Sequence, residues 1–216
     1  MSTIVSPSGR AAVTYPESDG LPMADNTRQF RWIVTIQGGL DACFREHRDV
    51  FVAGNLLWYP VEGNNTIRAA PDIFVVFGRP KRDRPSYLQW LEENIAPQVT
   101  FEVLSPGNPA GNLTNKFQFY QRYGVEEYYL WDPDNADLNG WRRDGGELRA
   151  IPEMNGWVSP RLQVRFELVE GDLQLYGPDG KKFATYIELV EQREQAQQRA
   201  ERLAAQLKAL GIEPDA

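Results

Sequence analysis

Three ionisable side chains, Asp72, Glu102 and Lys116, fall where an ordinary domain has little use for charge. Asp72 opens the run "IFVVF" and Glu102 lies inside "VTFEVLS", two stretches of apolar, mostly β-branched and aromatic residues that read as buried strands. An ionised carboxylate in such a setting must be compensated by hydrogen bonds, a cation or a metal. Two carboxylates directed into one notch repel each other, and a divalent cation relieves that repulsion. Lys116 falls in the first turns of an expected helix, where main-chain amides also favour an anion. A phosphate could meet a metal, an ammonium and a helix end together. Tyr120, four residues on, would share the helix face of Lys116. The ordinary alternatives are a strand-entry cap for Asp72 and an exposed edge-strand position for Glu102.

The elements that must hold these groups follow from periodicity. "RQFRWIVTIQGGLDACFREH", residues 28–47, places Trp32, Ile36, Leu40, Cys43 and Phe44 at three- and four-residue steps, which predicts a helix despite Gly38-Gly39. "DVFVAGNLLWYPVEGN" reads as two strands turning at Gly54-Asn55, and "SYLQWLEEN" as a short helix with Ser86 as its cap. Asn112 or Thr114 caps a helix running to about Tyr123, Gly124 ends it, and "EEYYLWDP" returns as a strand. Strand, helix and strand in that order make a crossover, so part of the sheet is expected to be parallel. The pieces "ELRAI", "LQVRFEL" and "DLQLY" complete an α/β (α+β) domain with a mixed sheet flanked by helices.

Beyond Glu188 the composition turns to Glu, Gln, Arg, Ala and Leu. Leu189, Ala196, Leu203 and Leu210 recur every seven residues, predicting a coiled-coil-like C-terminal helix that either packs on its own domain or pairs with a second copy as a homodimer. The domain layout expected is a flexible N-terminal arm over 1–26, a folded domain over 27–186 and the C-terminal helix over 187–216.

Composition narrows the chemistry. At 216 residues, a core of ~150 residues buries about 70% of its unfolded surface, so one domain suffices. Cys43 is the only cysteine and His47 the only histidine, which excludes cysteine-rich zinc sites, histidine-dependent nucleases and two-histidine metalloproteases. No apolar run approaches a membrane span, no secretory leader is apparent, and the near-absence of cysteine points to the cytoplasm. A net charge of −7 argues against nonspecific coating of nucleic acid but leaves room for a basic groove. Arg79, Lys81, Arg82 and Arg84 in "GRPKRDRPS" are candidates for such nucleic-acid contacts. "SPGNPAGNLTNK" lacks the Gly-Lys-Ser/Thr ending of a nucleotide-binding P-loop.

Pro71-Asp72, then Glu102-Val103-Leu104-Ser105, then Lys116 with Tyr120, and finally "YGVEEYYLWDP" together resemble the Uma-two family of endonucleases, a branch of the PD-(D/E)xK restriction-endonuclease-like superfamily. The resemblance is good over residues 51–133 and looser elsewhere. It implies a restriction-endonuclease-like fold and a nuclease that uses Mg²⁺ or Mn²⁺, held by Asp72, Glu102 and the main-chain carbonyl of Val103. The implied substrate is nucleic acid, with DNA expected over RNA. Lys116 would orient the attacking water or neutralise phosphoryl charge, and Tyr120 would support the site or touch substrate. An additional acid from the first helix would be Glu46. One departure stands out: the superfamily carries lysine two positions after the motif glutamate, where this chain has Leu104, so Lys116 would supply the displaced ammonium. The competing reading is an inactive nuclease fold used for binding or assembly through its C-terminal helix; a two-carboxylate glycosidase leaves Lys116 unexplained.

Overall fold

The structure is a computed structural model and describes residues 2–3, 13–18, 20, 24–107 and 110–210. In chain order its elements are β1 (Ser2–Thr3), β2 (Thr14–Tyr15), α1 (Thr27–Cys43), β3 (Val50–Gly54), β4 (Trp58–Tyr59), β5 (Ile73–Phe77) and β6 (Tyr87–Leu88). A 3-10 turn (Gln89–Leu91) leads to β7 (Val99–Val103), α2 (Ala110–Tyr123), β8 (Glu127–Asp132), β9 (Asp137–Asp144), β10 (Glu147–Ala150), β11 (Arg165–Val169), β12 (Asp172–Tyr176) and α3 (Tyr186–Ala209). The chain divides into two compact units, residues 1–183 and 184–216.

The first unit is built on a six-stranded mixed sheet in the order β10-β9-β8-β7-β5-β3. Within this sheet only β7 and β8 run parallel, because α2 carries the chain from one to the other as a crossover. Alternation along the strands gives each face its own core. Ile73, Val75, Val99, Phe101 and Val103 pack with Ile33, Ile36 and Leu40 of α1 on one side. Phe74, Val76 and Tyr128 pack with Tyr120 of α2 on the other. The result is an α+β architecture in which helices cover both faces of the sheet.

α1 starts at an Asn26 cap, whose side chain accepts from the main-chain N–H of Gln29 at 2.8 Å. It ends at Cys43, short of His47, because the following residues form turns. α2 ends at Gly124, which adopts φ +93°, and Arg143 from β9 caps its last carbonyls by donating to Gln121 at 2.7 Å and Tyr120 at 3.2 Å. Asn112 and Thr114, expected as caps, lie inside this helix.

Several sequence expectations need correction. Gly54-Asn55 does turn the chain, with Asn55 at φ +52°, but no hairpin results: β3 pairs with β5, and β4 leaves the sheet to pair in parallel with β6. Ser86 caps nothing, since Tyr87 and Leu88 are needed as that β6 partner and only a 3-10 turn follows. β9 was not anticipated; it turns into β10 through Gly145-Gly146, both at positive φ. The expected N-terminal arm lies partly outside the described residues. Its described part includes the β1–β2 pair and Tyr15, which is buried against Tyr59 and Trp90.

In the second unit, α3 begins with a capping box. Thr185 Oγ1 accepts from the Glu188 N–H at 3.3 Å while the Glu188 carboxylate accepts from the Thr185 N–H at 2.7 Å. Leu189, Leu203 and Leu210 are exposed. Among the described residues no helix is long and apolar enough to cross a membrane.

Candidate active site

β5 and β7 are antiparallel, with Ile73 opposite Phe101 and Phe74 opposite Thr100. Extending that register by one residue sets Asp72 opposite Glu102, so both carboxylates leave the same face at a typical cross-strand spacing of roughly 5 Å between Cβ atoms. Both are buried, at 7% and 2% exposure. Strand alternation thus brings together two acids thirty positions apart in sequence.

α2 covers that face. From it Lys116 Nζ donates to Glu102 Oε2 at 2.6 Å and to the Ala70 carbonyl at 3.3 Å, while its side chain remains 29% exposed. Tyr120, one turn further, is fully buried and its hydroxyl donates to Glu102 Oε1. Glu102 is therefore held at both oxygens, by an ammonium and a phenol. Asp72 Oδ2 accepts from the Val103 main-chain N–H at 2.7 Å.

The electrostatics follow from burial and charge count. Burial first, then the Glu102 charge, push the Asp72 carboxyl up to about 8, against the opposing pull of Lys116 and the Val103 N–H. Burial and the neighbouring Glu102 likewise raise Tyr120 well above the usual phenol range, so it serves as a donor. Two acids share one nearby cation, and the pair resolves its excess negative charge by keeping a proton.

The Val103 main chain is held at its carbonyl as well as at its N–H. Its carbonyl accepts from Gln29 Nε2 at 2.8 Å, and the Gln29 Oε1 accepts in turn from the Asp25 N–H at 2.8 Å. Asp25 Oδ2 accepts from Ser105 Oγ at 2.5 Å. Gln29 is only 5% exposed and joins the site although residue type and spacing do not single it out. What marks it is the face it occupies: Gln29 lies on the same helical face as Ile33, Ile36 and Leu40, so it is a polar residue on a stripe bound for the core.

Other expected members lie elsewhere. The structure does not bring Glu46 to the site. The N-terminal end of α1 approaches Val103, whereas Glu46 follows the helix's far end, is 85% exposed and pairs with Arg45. The basic segment is also remote, because it follows β5 at the end opposite Asp72, with about 17 Å of extended strand between. Its charges are committed internally: Arg79, Arg82 and Arg84 converge on the buried carboxylate of Glu92 at 2.7–2.9 Å, and Lys81 pairs with Asp41 at 3.0 Å. Arg84 also stacks on Phe51, 4.0 Å from the ring centre. Burial raises Glu92, but the three guanidiniums outweigh it and hold the carboxyl at about 2.

Among the described residues no group of three or more His, Cys, Asp or Glu side chains is placed to hold one metal ion. The donor set is the Asp72–Glu102 pair. It suits Mg²⁺, which takes one or two carboxylates and keeps several waters or substrate oxygens. The proton retained on Asp72 marks the charge that a cation would neutralise. The Val103 carbonyl already accepts from Gln29, and an sp² oxygen has a second lone pair to offer.

A mixed sheet that lays two buried carboxylates side by side beneath a helix-borne lysine is an arrangement suited to phosphodiester chemistry. The sequence profile of the Uma2 family, described as "Putative restriction endonuclease", matches residues 25–162, and the chain belongs to that family. It is also similar to a crystal structure titled as a "putative nuclease" from Anabaena variabilis, at 18% identity over 69% of this chain and 76% of that one, with a TM-score of 0.47. No curated protein matches the chain.

Proposed function

We propose that this protein is a divalent-metal-dependent endonuclease that hydrolyses phosphodiester bonds, with DNA as its substrate. The observation that carries the reading is the Asp72–Glu102 pair, buried and in register, with Lys116 Nζ at 2.6 Å from Glu102. Asp72 and Glu102 would hold Mg²⁺ or Mn²⁺, with the Val103 carbonyl as a further ligand, and the bound ion would acidify a water and polarise the scissile phosphate. Tyr120 fixes the orientation of Glu102, and the Val103 N–H fixes that of Asp72. Lys116 is partly exposed, so its ammonium can meet a phosphoryl oxygen entering from solvent and neutralise charge that develops there.

The decisive experiment is cleavage of plasmid DNA and of RNA with Mg²⁺ or Mn²⁺, comparing wild type with Asp72→Ala, Glu102→Ala and Lys116→Ala. Each substitution should lower the rate by at least about a hundredfold, and chelation should abolish it. Equal residual activity in all four proteins would assign the signal to a contaminant and end the proposal.

A second reading, a nuclease fold retained for binding or assembly, draws support from Leu104 in the usual lysine position and from the exposed leucines of α3. It requires that the folded protein neither cleave nucleic acid nor gain melting temperature from a divalent ion through Glu102.

A further inference from the structure

α1 carries two glycines in its interior, each of which costs about 1 kcal/mol of helix stability relative to alanine. Gly39 has a reason within the fold. A Cβ there would come within 2.2 Å of the Phe183 ring. Gly38 has none, because a Cβ at that position would meet nothing within 4 Å. It lies instead on the outward face, in line with Phe30 and Val34, which are 46% and 48% exposed, and with the exposed Ala42. The other exposed large apolar residues of this unit, Leu91, Val158 and Val169, are scattered singly, which is ordinary for a protein surface. Phe30 and Val34, one turn apart, are the exception, and they border a gap suited to a close-approaching backbone.

We propose that this face binds the same face of a second copy of the chain, with the two α1 helices antiparallel about a two-fold axis at the level of Ile36. The choice of partner comes from the arrangement of side chains along the face. At 100° per residue, Arg31, Val34, Gly38 and Asp41 fall within one narrow arc flanked by Phe30 and Ala42. A two-fold axis at that level sets Val34 against the partner's Gly38 and brings Arg31 level with the partner's Asp41, with Phe30 and Ala42 at opposite margins of the contact. The central features are complementary: a branched side chain over a glycine gap, and a guanidinium beside a carboxylate. Each contact occurs twice, as a closed isologous interface requires. Asp41 already accepts from Lys81 at 3.0 Å, and a carboxylate has room for a second donor. The pairing is independent of the catalytic proposal, since none of these side chains belongs to the Asp72–Glu102 site.

The test is sedimentation equilibrium on the full chain. Wild type should be a dimer, and Val34→Glu and Arg31→Glu should each raise its dissociation constant by more than about tenfold. Both positions are exposed, so circular dichroism should remain native. Combining Arg31→Glu with Asp41→Arg should restore at least part of the lost affinity, because the charges are exchanged rather than removed. Leu203→Glu, on α3, should leave the dimer intact. A monomeric wild type, a dimer indifferent to Val34→Glu, or a dimer dissociated by Leu203→Glu would overturn the proposal.

Discussion

At the scale of single residues, the site's most consequential group is Asp72. In the folded, metal-free protein it titrates at about 8, against roughly 3.9 for an aspartate in an unfolded chain. Between those values the folded state holds a proton that the unfolded state has released. The associated stability is therefore fully present below about pH 4 and is lost as pH rises through about 8. In chelator, the unfolding free energy should fall between pH 5 and pH 8, by at most about 1.4 kcal/mol per pH unit from this group, and the melting temperature with it. Asp72→Asn should flatten that interval, and parallel pH profiles for the two proteins would show that Asp72 is ionised throughout. Asp72, Glu102, Lys116 and Tyr120 could be singled out from residue type and spacing because buried charge is rare enough to stand out. Gln29 could not, because an amide in a helix is unremarkable until the inward direction of its face is known. Glu46 does not join them for a related reason: periodicity reveals a helix but does not say which of its ends meets Val103 beside the Asp72–Glu102 pair.

At the scale of elements, two local arrangements invite measurement. The segment between β5 and β6 is held by Glu92, whose carboxylate is 4% exposed and faces three guanidiniums. Glu92→Gln would leave Arg84, itself 3% exposed, without its carboxylate and should destabilise the protein by about 3 kcal/mol. Equilibrium urea unfolding measures this, and a loss under about 1 kcal/mol would mean that water substitutes for the carboxylate. Cleavage should be unaffected, as the clamp lies at the other end of β5. The second arrangement is the contact of α1 with Phe183. Gly39→Ala forces a methyl group into the ring and should cost about 1–3 kcal/mol by the same assay, despite alanine's better helix propensity. An unchanged midpoint would place Phe183 elsewhere. Neither arrangement was legible in the sequence. The run of basic residues reads as surface until the fold supplies Glu92, and a Gly-Gly pair reads as a weak helix until a ring is found against one of them.

At the scale of the whole molecule, the strand–helix–strand crossover of β7, α2 and β8 was legible because three contrasting periodicities follow one another between residues 99 and 132. The pairing of β3 was not, since Gly54-Asn55 is a valid turn whether or not the next strand stays in the sheet. β9 has no strand signature of its own, because its eight residues include two aspartates, an asparagine, a glycine and two arginines, and its strand character comes from lying between β8 and β10. Local propensity was overruled there by neighbours. Family membership accords with this division, as the profile match over residues 25–162 includes all six strands of the main sheet and stops before the β11–β12 hairpin and α3.

The position of the lysine has a mechanical consequence. Had the ammonium stood at position 104 it would share a strand with Glu102, and the distance between them would be set by the pleat alone. Carried on α2 at Lys116, it rides on a separate body, seated on the sheet through Phe117, Tyr120 and Tyr123. Any change that lets this helix slide or tilt moves the cation while the two carboxylates, fixed to adjoining strands, stay where they are. The aromatic seat of α2 acts as the adjusting screw of the site.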